Sequence, residues 1–178
     1  MKQQTRRGLL RGLCALSTVG FAGCSSLSNN AATPTSPHEY EHLRQTPTYR
    51  SDDIGLRLPK AVPRVESPNN ADLIVLHGNP TISTEKVVTW LADERRVALL
   101  GDRAQQSWFR WTQSEPYRET FGDRGRSQTE PAPHLLVAAA MGTSVTTSPF
   151  SWADLPSNFE LVQALEEALG EFATWTPA

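Results

Sequence analysis

The apolar positions of the chain gather into short continuous runs separated by stretches with helical spacing. Leu73-Ile74-Val75-Leu76, Val97-Ala98-Leu99-Leu100 and Leu135 to Ala140 are each bounded by polar or turn residues, the pattern of strands covered on both faces. Helical signals lie between them. Ser83 is placed to N-cap a helix with Glu85 in its first turn, Ile82 and Val87 occupy the two positions of a hydrophobic staple, and Val87, Val88 and Leu91 form an apolar stripe. Asp102 is placed to cap the next helix, which carries Trp108, Phe109 and Trp111. Ser114 restarts it after a break, with Tyr117 and Phe121 one turn apart and Gly122 as the stop. The last helix is the clearest. Ser157 and Glu160 make a capping box, Leu161, Val162, Leu165, Ala168, Leu169 and Phe172 recur on one face, and Glu166, Glu167 and Glu171 line the other. Strand and helix alternating in this way predict βαβ units and an α/β domain over residues 71–178, with a small mostly parallel sheet and helices on both faces.

Upstream the pattern fades. Residues 38–70 are polar and interrupted by proline, which predicts a loop-rich extension with Ile54 to Leu58 as its one short strand. Ser25 to Pro37 holds no charge and one large apolar residue, so it cannot bury a core; residues 24–37 read as a tether. Thirteen flexible residues reach about 20 Å. Residues 1–23 have a charged start and then an uncharged stretch from Gly12 to Gly23. Such a stretch spans about 18 Å as helix against a hydrocarbon core of about 30 Å, so it reads as a removable signal peptide.

The run Thr5-Arg6-Arg7-Gly8-Leu9-Leu10-Arg11 resembles the twin-arginine (Tat) export consensus, with Leu9 and Arg11 as mild departures. Phe21-Ala22-Gly23-Cys24 resembles a lipobox, in which the Cys24 thiol receives the lipid. The resemblance implies passage through the Tat translocase and a lipid anchor on the extracytoplasmic face of the cell membrane. A two-chain lipid holds a protein stably where one chain does not. Cysteine usage agrees with this, because Cys14 falls in the discarded peptide and Cys24 becomes the anchor. The domain then keeps no cysteine, which removes disulfides, thiolate metal sites and a cysteine nucleophile.

Charge narrows the partners. The formal net charge is -2, and beyond Cys24 there are 13 cationic against 19 acidic positions, net -6. Nucleic acid held by phosphate contacts needs the opposite balance. Only Lys60 and Lys86 stand beside eleven arginines in that part, a composition similar to secreted lipoproteins of haloarchaea, where Tat export is common.

A sheet of the expected kind is Rossmann-like or flavodoxin-like, and in such sheets ligands bind outside the carboxyl ends of the strands. Those ends would bring His77, Asn79, Asp102, Arg103 and Ser144 to one crevice. Each also has a plain structural reading: Asp102 as a helix cap, Asn79-Pro80 as a turn, Arg103 as a solvated first-turn residue. A hydrolase built there would use Ser144 as nucleophile, His77 as base and Asp102 to orient the imidazole. Gly142-Thr143-Ser144-Val145-Thr146 resembles the G-x-S-x-G elbow, but Thr146 replaces the last glycine and no helix signal follows. His134 precedes a strand and is expected at the opposite end from His77. With His38 and His42 in the polar extension, no metal constellation forms. The glycines spell neither a dinucleotide fingerprint nor a P-loop, so no cofactor is expected.

The stretch from Asp72 to Gly101 is similar to the opening of class I glutamine amidotransferase-like domains. Without a cysteine nucleophile, the resemblance implies the scaffold and not the reaction. Trp90, Trp108 and Trp111 sit at core-compatible helical spacing, which leaves a sugar platform of tryptophans, with Trp152 and Trp175, as the lesser reading. Arg124-Gly125-Arg126 beside Arg118 reads as a solvated turn. The sequence therefore points to a membrane-anchored surface lipoprotein with a non-catalytic binding or structural role, and the alternative is a secreted hydrolase at the strand ends.

Overall fold

Two-faced apolar strands must be covered above and below, and the chain does so with helices on one side and a helix plus an irregular segment on the other. The computed structural model describes residues 40–123 and 132–174. The expected signal peptide, tether, His38, Arg124-Gly125-Arg126 and Trp175 lie outside the described residues. Strands are β1 (Thr48–Arg50), β2 (Leu73–His77), β3 (Arg96–Leu100), β4 (Leu135–Met141) and β5 (Ser144–Phe150). Helices are α1 (Thr84–Ala92), α2 (Ala104–Thr112), α3 (Glu115–Phe121) and α4 (Asn158–Thr174).

The five strands lie in chain order, β1-β2-β3-β4-β5. β1, β2 and β3 are mutually parallel, while β4 is antiparallel to β3 and β5 to β4. The sheet is thus mixed, not mostly parallel. Nor is it Rossmann-like or flavodoxin-like in order, because those folds reverse strand order at a switch point and this sheet never does. The cause lies between β3 and β4. A single crossover helix returns a chain to the edge where the previous strand began, as α1 does between β2 and β3. Two successive helices, α2 and α3, return it to the edge that β3 had reached. The break between them is made by Ser114, whose hydroxyl accepts from the Tyr117 N–H, and by Pro116 in the first turn of α3.

Successive side chains on β2, β3 and β4 alternate between two apolar layers. Ile74, Leu76, Val97, Leu99, Leu136 and Ala138 face α1, α2 and α3. That layer is rich in aromatic residues: Trp108 meets Trp111 and Tyr117 edge to face, with centroids 6.4 and 5.9 Å apart, and Tyr117 lies 5.1 Å from Phe121. With Trp90 also buried, these tryptophans are core and present no platform. Ser83 stands at the N-cap of α1 without a side-chain cap bond, and Ile82 packs on the same cluster as Val87.

Leu73, Val75, Ala98, Leu135, Val137 and Ala139 face α4. The stripe expected on α4 is buried there in full, and its capping box forms: the Ser157 N–H donates to Glu160 Oε2 at 2.7 Å and the Glu160 N–H to Ser157 Oγ at 3.3 Å. Beside α4 the same layer is completed by Leu43, Ile54, Leu56, Leu58 and Val62. Residues expected to form a polar extension therefore supply core, and Thr48–Arg50 supplies the first strand. Ile54 to Leu58 is not a strand. Its carbonyls are met by side chains, with Arg50 Nη1 donating to Ile54 O and Leu56 O at 3.0 and 3.2 Å and Arg64 Nη2 to Leu58 O.

Two of the glutamates on the polar face of α4 have partners. Glu166 Oε1 accepts from the His42 N–H at 2.8 Å and Oε2 from the Leu43 N–H at 2.9 Å, which satisfies a 3-10 turn at Leu43–Gln45 from across the fold. Glu171 Oε2 accepts from Ser148 Oγ at 2.6 Å. The His42 ring packs closely on Gly170, where a Cβ would sit 3.2 Å from the imidazole Nε2 and the ring would have to give by a few tenths of an ångström.

Two predictions follow from α4. Leu165→Asp should cost several kcal/mol, about enough to unfold a marginal domain, and Glu166→Ala should cost about 1–3 kcal/mol by stranding two N–H groups, while Gln163→Ala stays within about 0.5 kcal/mol. Urea denaturation of the full chain measures all three, and equal midpoints for Glu166→Ala and Gln163→Ala would refute the tertiary cap. The second concerns pH. The Ser157 hydroxyl, then its N–H, hold the Glu160 carboxyl below its ordinary 4.5. A folded value below the unfolded one means that the stabilisation is present above about pH 4.5 and is lost as pH falls through the folded value. Glu160→Gln should therefore flatten the acid side of the stability profile, and an unchanged acid limb would refute it.

Candidate functional site

The register of the sheet decides which side chains share an edge. His77 pairs with Leu100 and Leu100 with Leu135, so the carboxyl ends of β2 and β3 are level with the start of β4. His77-Gly78-Asn79, Gly101-Asp102-Arg103 and His134 are brought to that edge together. The backbone ties them: the Gly78 N–H donates to Leu100 O and the Gly101 N–H to His134 O, both at 2.7 Å. Two glycines make the close approach possible. Gly101 has φ +123°, and a Cβ on Gly78 would meet Gly101 O at 2.9 Å and Ala104 N at 3.0 Å.

Of the expected crevice residues, His77, Asn79, Asp102 and Arg103 do share this edge, and Ser144 does not. Met141 pairs with Ser144 at the far end of β4, across a tight hairpin in which Gly142 takes φ 64°. The six steps from Leu135 to Met141 span about 20 Å, against the roughly 3 Å that a nucleophile and its base require. Ser144 Oγ instead donates to Met141 O at 3.2 Å, within its own turn. A strand follows it, so the elbow motif is absent. His134 is corrected in the opposite sense: expected at the other end from His77, it stands at the same edge because β4 runs antiparallel. One inversion accounts for both.

The edge residues divide by environment. His77 is exposed, and its Nδ1 accepts from the Asn79 N–H at 3.2 Å. Arg103, not Asp102, is the N-cap residue of α2, and it makes no side-chain cap bond. Asp102 stands one residue too early to cap and is exposed. It lines a cavity of about 310 Å³ whose walls include His134, Leu56, Leu100, Leu155, Asn158 and Leu161. His134 Nδ1 accepts from the Trp152 N–H at 3.4 Å, and its ring lies 6.2 Å from the Trp152 ring. Leu155 on this wall is 86% exposed, and Phe159 on the first turn of α4 is 49% exposed. An apolar floor with one carboxylate and one imidazole suits a ligand with an apolar body and a hydrogen-bonding head. Among the described residues no three His, Cys, Asp or Glu side chains are grouped to hold a metal ion.

Ser144 and His134 were both expected at the wrong edge, and both corrections follow from the antiparallel direction of β4. Arg118, the described member of the expected basic turn, donates Nε to Ser114 O at 3.4 Å within its own helix. Compared with known protein families, curated proteins and solved structures, the chain matches none.

Gly78→Ala should cost about 1–3 kcal/mol, because the clash is with backbone that cannot swing aside, whereas Asp102→Ala should change stability by less than about 0.5 kcal/mol. Chemical denaturation of both variants checks this. A loss at Asp102 as large as that of a removed helix cap would restore the capping role.

Proposed function

We propose that the chain is a Tat-exported lipoprotein, held through Cys24 at the extracytoplasmic face of the membrane, whose α/β domain binds a ligand or partner at the edge formed by β2, β3 and β4. One observation carries the non-catalytic part: Ser144 lies about 20 Å along β4 from the edge that holds His77 and Asp102. The hydrolase alternative needs that serine beside that histidine. The anchoring part is supported by Arg6, Arg7 and Cys24 in the order and spacing of export and lipidation signals. No described helix is long and apolar enough to cross a membrane. The binding part is supported by the edge cavity, with Asp102 and His134 on its wall beside the exposed Leu155.

Replacing Arg6 and Arg7 by Lys should block export, and Cys24→Ser should abolish lipid attachment and maturation at that site; fractionation of expressing cells and the mass of the product read both. Continued recovery of lipid-modified Cys24→Ser protein would overturn the anchor. The purified full chain should show no turnover of a generic ester, before or after Ser144→Ala. Turnover lost on Ser144→Ala would establish the hydrolase instead.

A further inference from the structure

We propose that a second cavity, on the outer side of β1, is a binding site for a small organic anion bearing carboxylate or phosphate groups. This goes beyond the edge site described above. The cavity measures about 540 Å³, larger than a bare ion requires and within the range that holds small ligands. Arg50, Arg57 and Arg64 line it together with Asp52 and Glu66. Three cations against two anions give a local surplus of positive charge in a chain that carries net -6 beyond Cys24.

The arginines are not equivalent, and the difference makes the argument. Arg50 and Arg64 are held in place by carbonyl oxygens of the irregular segment, Ile54 and Leu56 for the first and Leu58 for the second. Those partners are neutral dipoles, so they orient the guanidinium groups without cancelling their charge. Asp52 lies 3.8 Å from Arg50 with its own side chain wholly in solvent, a pair that water screens and an incoming anion displaces. Arg57 differs from both. Its main chain is clamped on both sides, with its N–H donating to Asn158 Oδ1 at 2.6 Å and its carbonyl accepting from Asn158 Nδ2 at 2.9 Å. Its exposed side chain lines the cavity from this fixed base, so loop ordering is not a cost of engaging a ligand there.

The backbone adds to the site. Along β1 the main-chain groups of Thr48 and Arg50 point away from β2, and those of Thr48 are taken by Pro63 O and the Val65 N–H. The pairing with Arg64 is a single isolated bridge, and Arg50 lies beyond it on the side of the cavity. Forked guanidinium donors on a fixed frame beside an open strand edge fit planar carboxylate and tetrahedral phosphate oxygens.

The test uses the unlipidated full chain, Cys24→Ser, so that its outcome does not depend on the anchoring proposal. Calorimetric titration at low ionic strength with inorganic phosphate and with citrate should show saturable binding. Arg57→Gln should weaken it about tenfold, Arg57→Lys should recover part of the loss, and Arg110→Gln, exposed on α2 and outside both cavities, should change nothing. The melting temperature of Arg57→Gln without ligand reports whether the fold survives; if it does not, Arg57→Lys alone decides, and affinity equal to the parent's counts against the site. Co-sedimentation with phosphatidylglycerol and phosphatidylcholine vesicles separates the sources. Binding to phosphatidylglycerol vesicles that phosphate displaces and Arg57→Gln weakens identifies a lipid headgroup, and phosphate or citrate binding without vesicle binding identifies a soluble anion. Absence of phosphate and citrate binding, or equal affinity in the parent and a folded Arg57→Gln variant, overturns the proposal, whatever the vesicles show.

Discussion

Every other feature of this domain answers to one constraint: β3 and β4 are apolar on both faces and must be kept from water on both. Burying a large aliphatic side chain contributes roughly 1.5–3 kcal/mol, and these two strands alone bury Val97, Leu99, Leu135, Leu136 and Val137. Three short helices cover one face. The other is covered by a single long helix, α4, and by residues 54–62, which have no ladder of their own to satisfy their backbone. That asymmetry explains where the polar interactions concentrate. On the α1–α3 face, helices satisfy themselves and the packing is aromatic. On the α4 face, side chains do the work that backbone pairing does elsewhere.

The long helix organises that second face through residues that look like solvated surface. Glu166 satisfies the turn at Leu43–Gln45, Asn158 clamps Arg57, and Glu171 reaches Ser148 on β5. Each joins a segment that cannot hold itself to a helix that can. The bonds of the two glutamates are charge-assisted and roughly twice as strong as neutral ones, whereas those of the Asn158 amide are neutral. A helical glycine normally weakens a helix by about 0.5–1 kcal/mol, and at Gly170 that loss is set against the approach of His42 and the burial of Leu43 beside it.

What was legible in the sequence and what was not divides along the same physical lines. Local signals were read correctly: the capping box and stripe of α4, the strand-helix-strand from β2 to β3, the helix restart at Ser114. They depend on neighbours in sequence. Strand direction was not legible from Leu135 to Ala140, because a continuous apolar run reports burial on two faces and says nothing of which way the strand runs. β5 was missed because Ser-Val-Thr-Thr-Ser-Pro-Phe buries only Val145 and Ser148, as an edge strand with a proline can. The role of Glu166 was invisible for a different reason, since its partners lie 124 and 123 residues away. At the candidate site His77, Asn79, Asp102 and Arg103 were placed together correctly. Ser144 and His134 were exchanged between edges, and the direction of β4 alone did it.

The same reversal builds the site it relocates. Because β5 returns antiparallel, Phe150 ends level with Leu135, and the loop into α4 starts at the edge that carries Gly101 and His134. Leu155 and Asn158 reach the edge cavity by this route. Had β4 been parallel, that edge would have carried Ser144 and lost the start of α4. The wall opposite is supplied by Leu56, which also lines the arginine-rich cavity beyond it. The two cavities are therefore separated by the one core segment without regular structure, positioned by Arg50, Arg64 and Asn158 and not by a ladder. Substitutions at those three residues act on the shape of both cavities at once, whereas substitutions on α1, α2 or α3 reach neither except through the sheet.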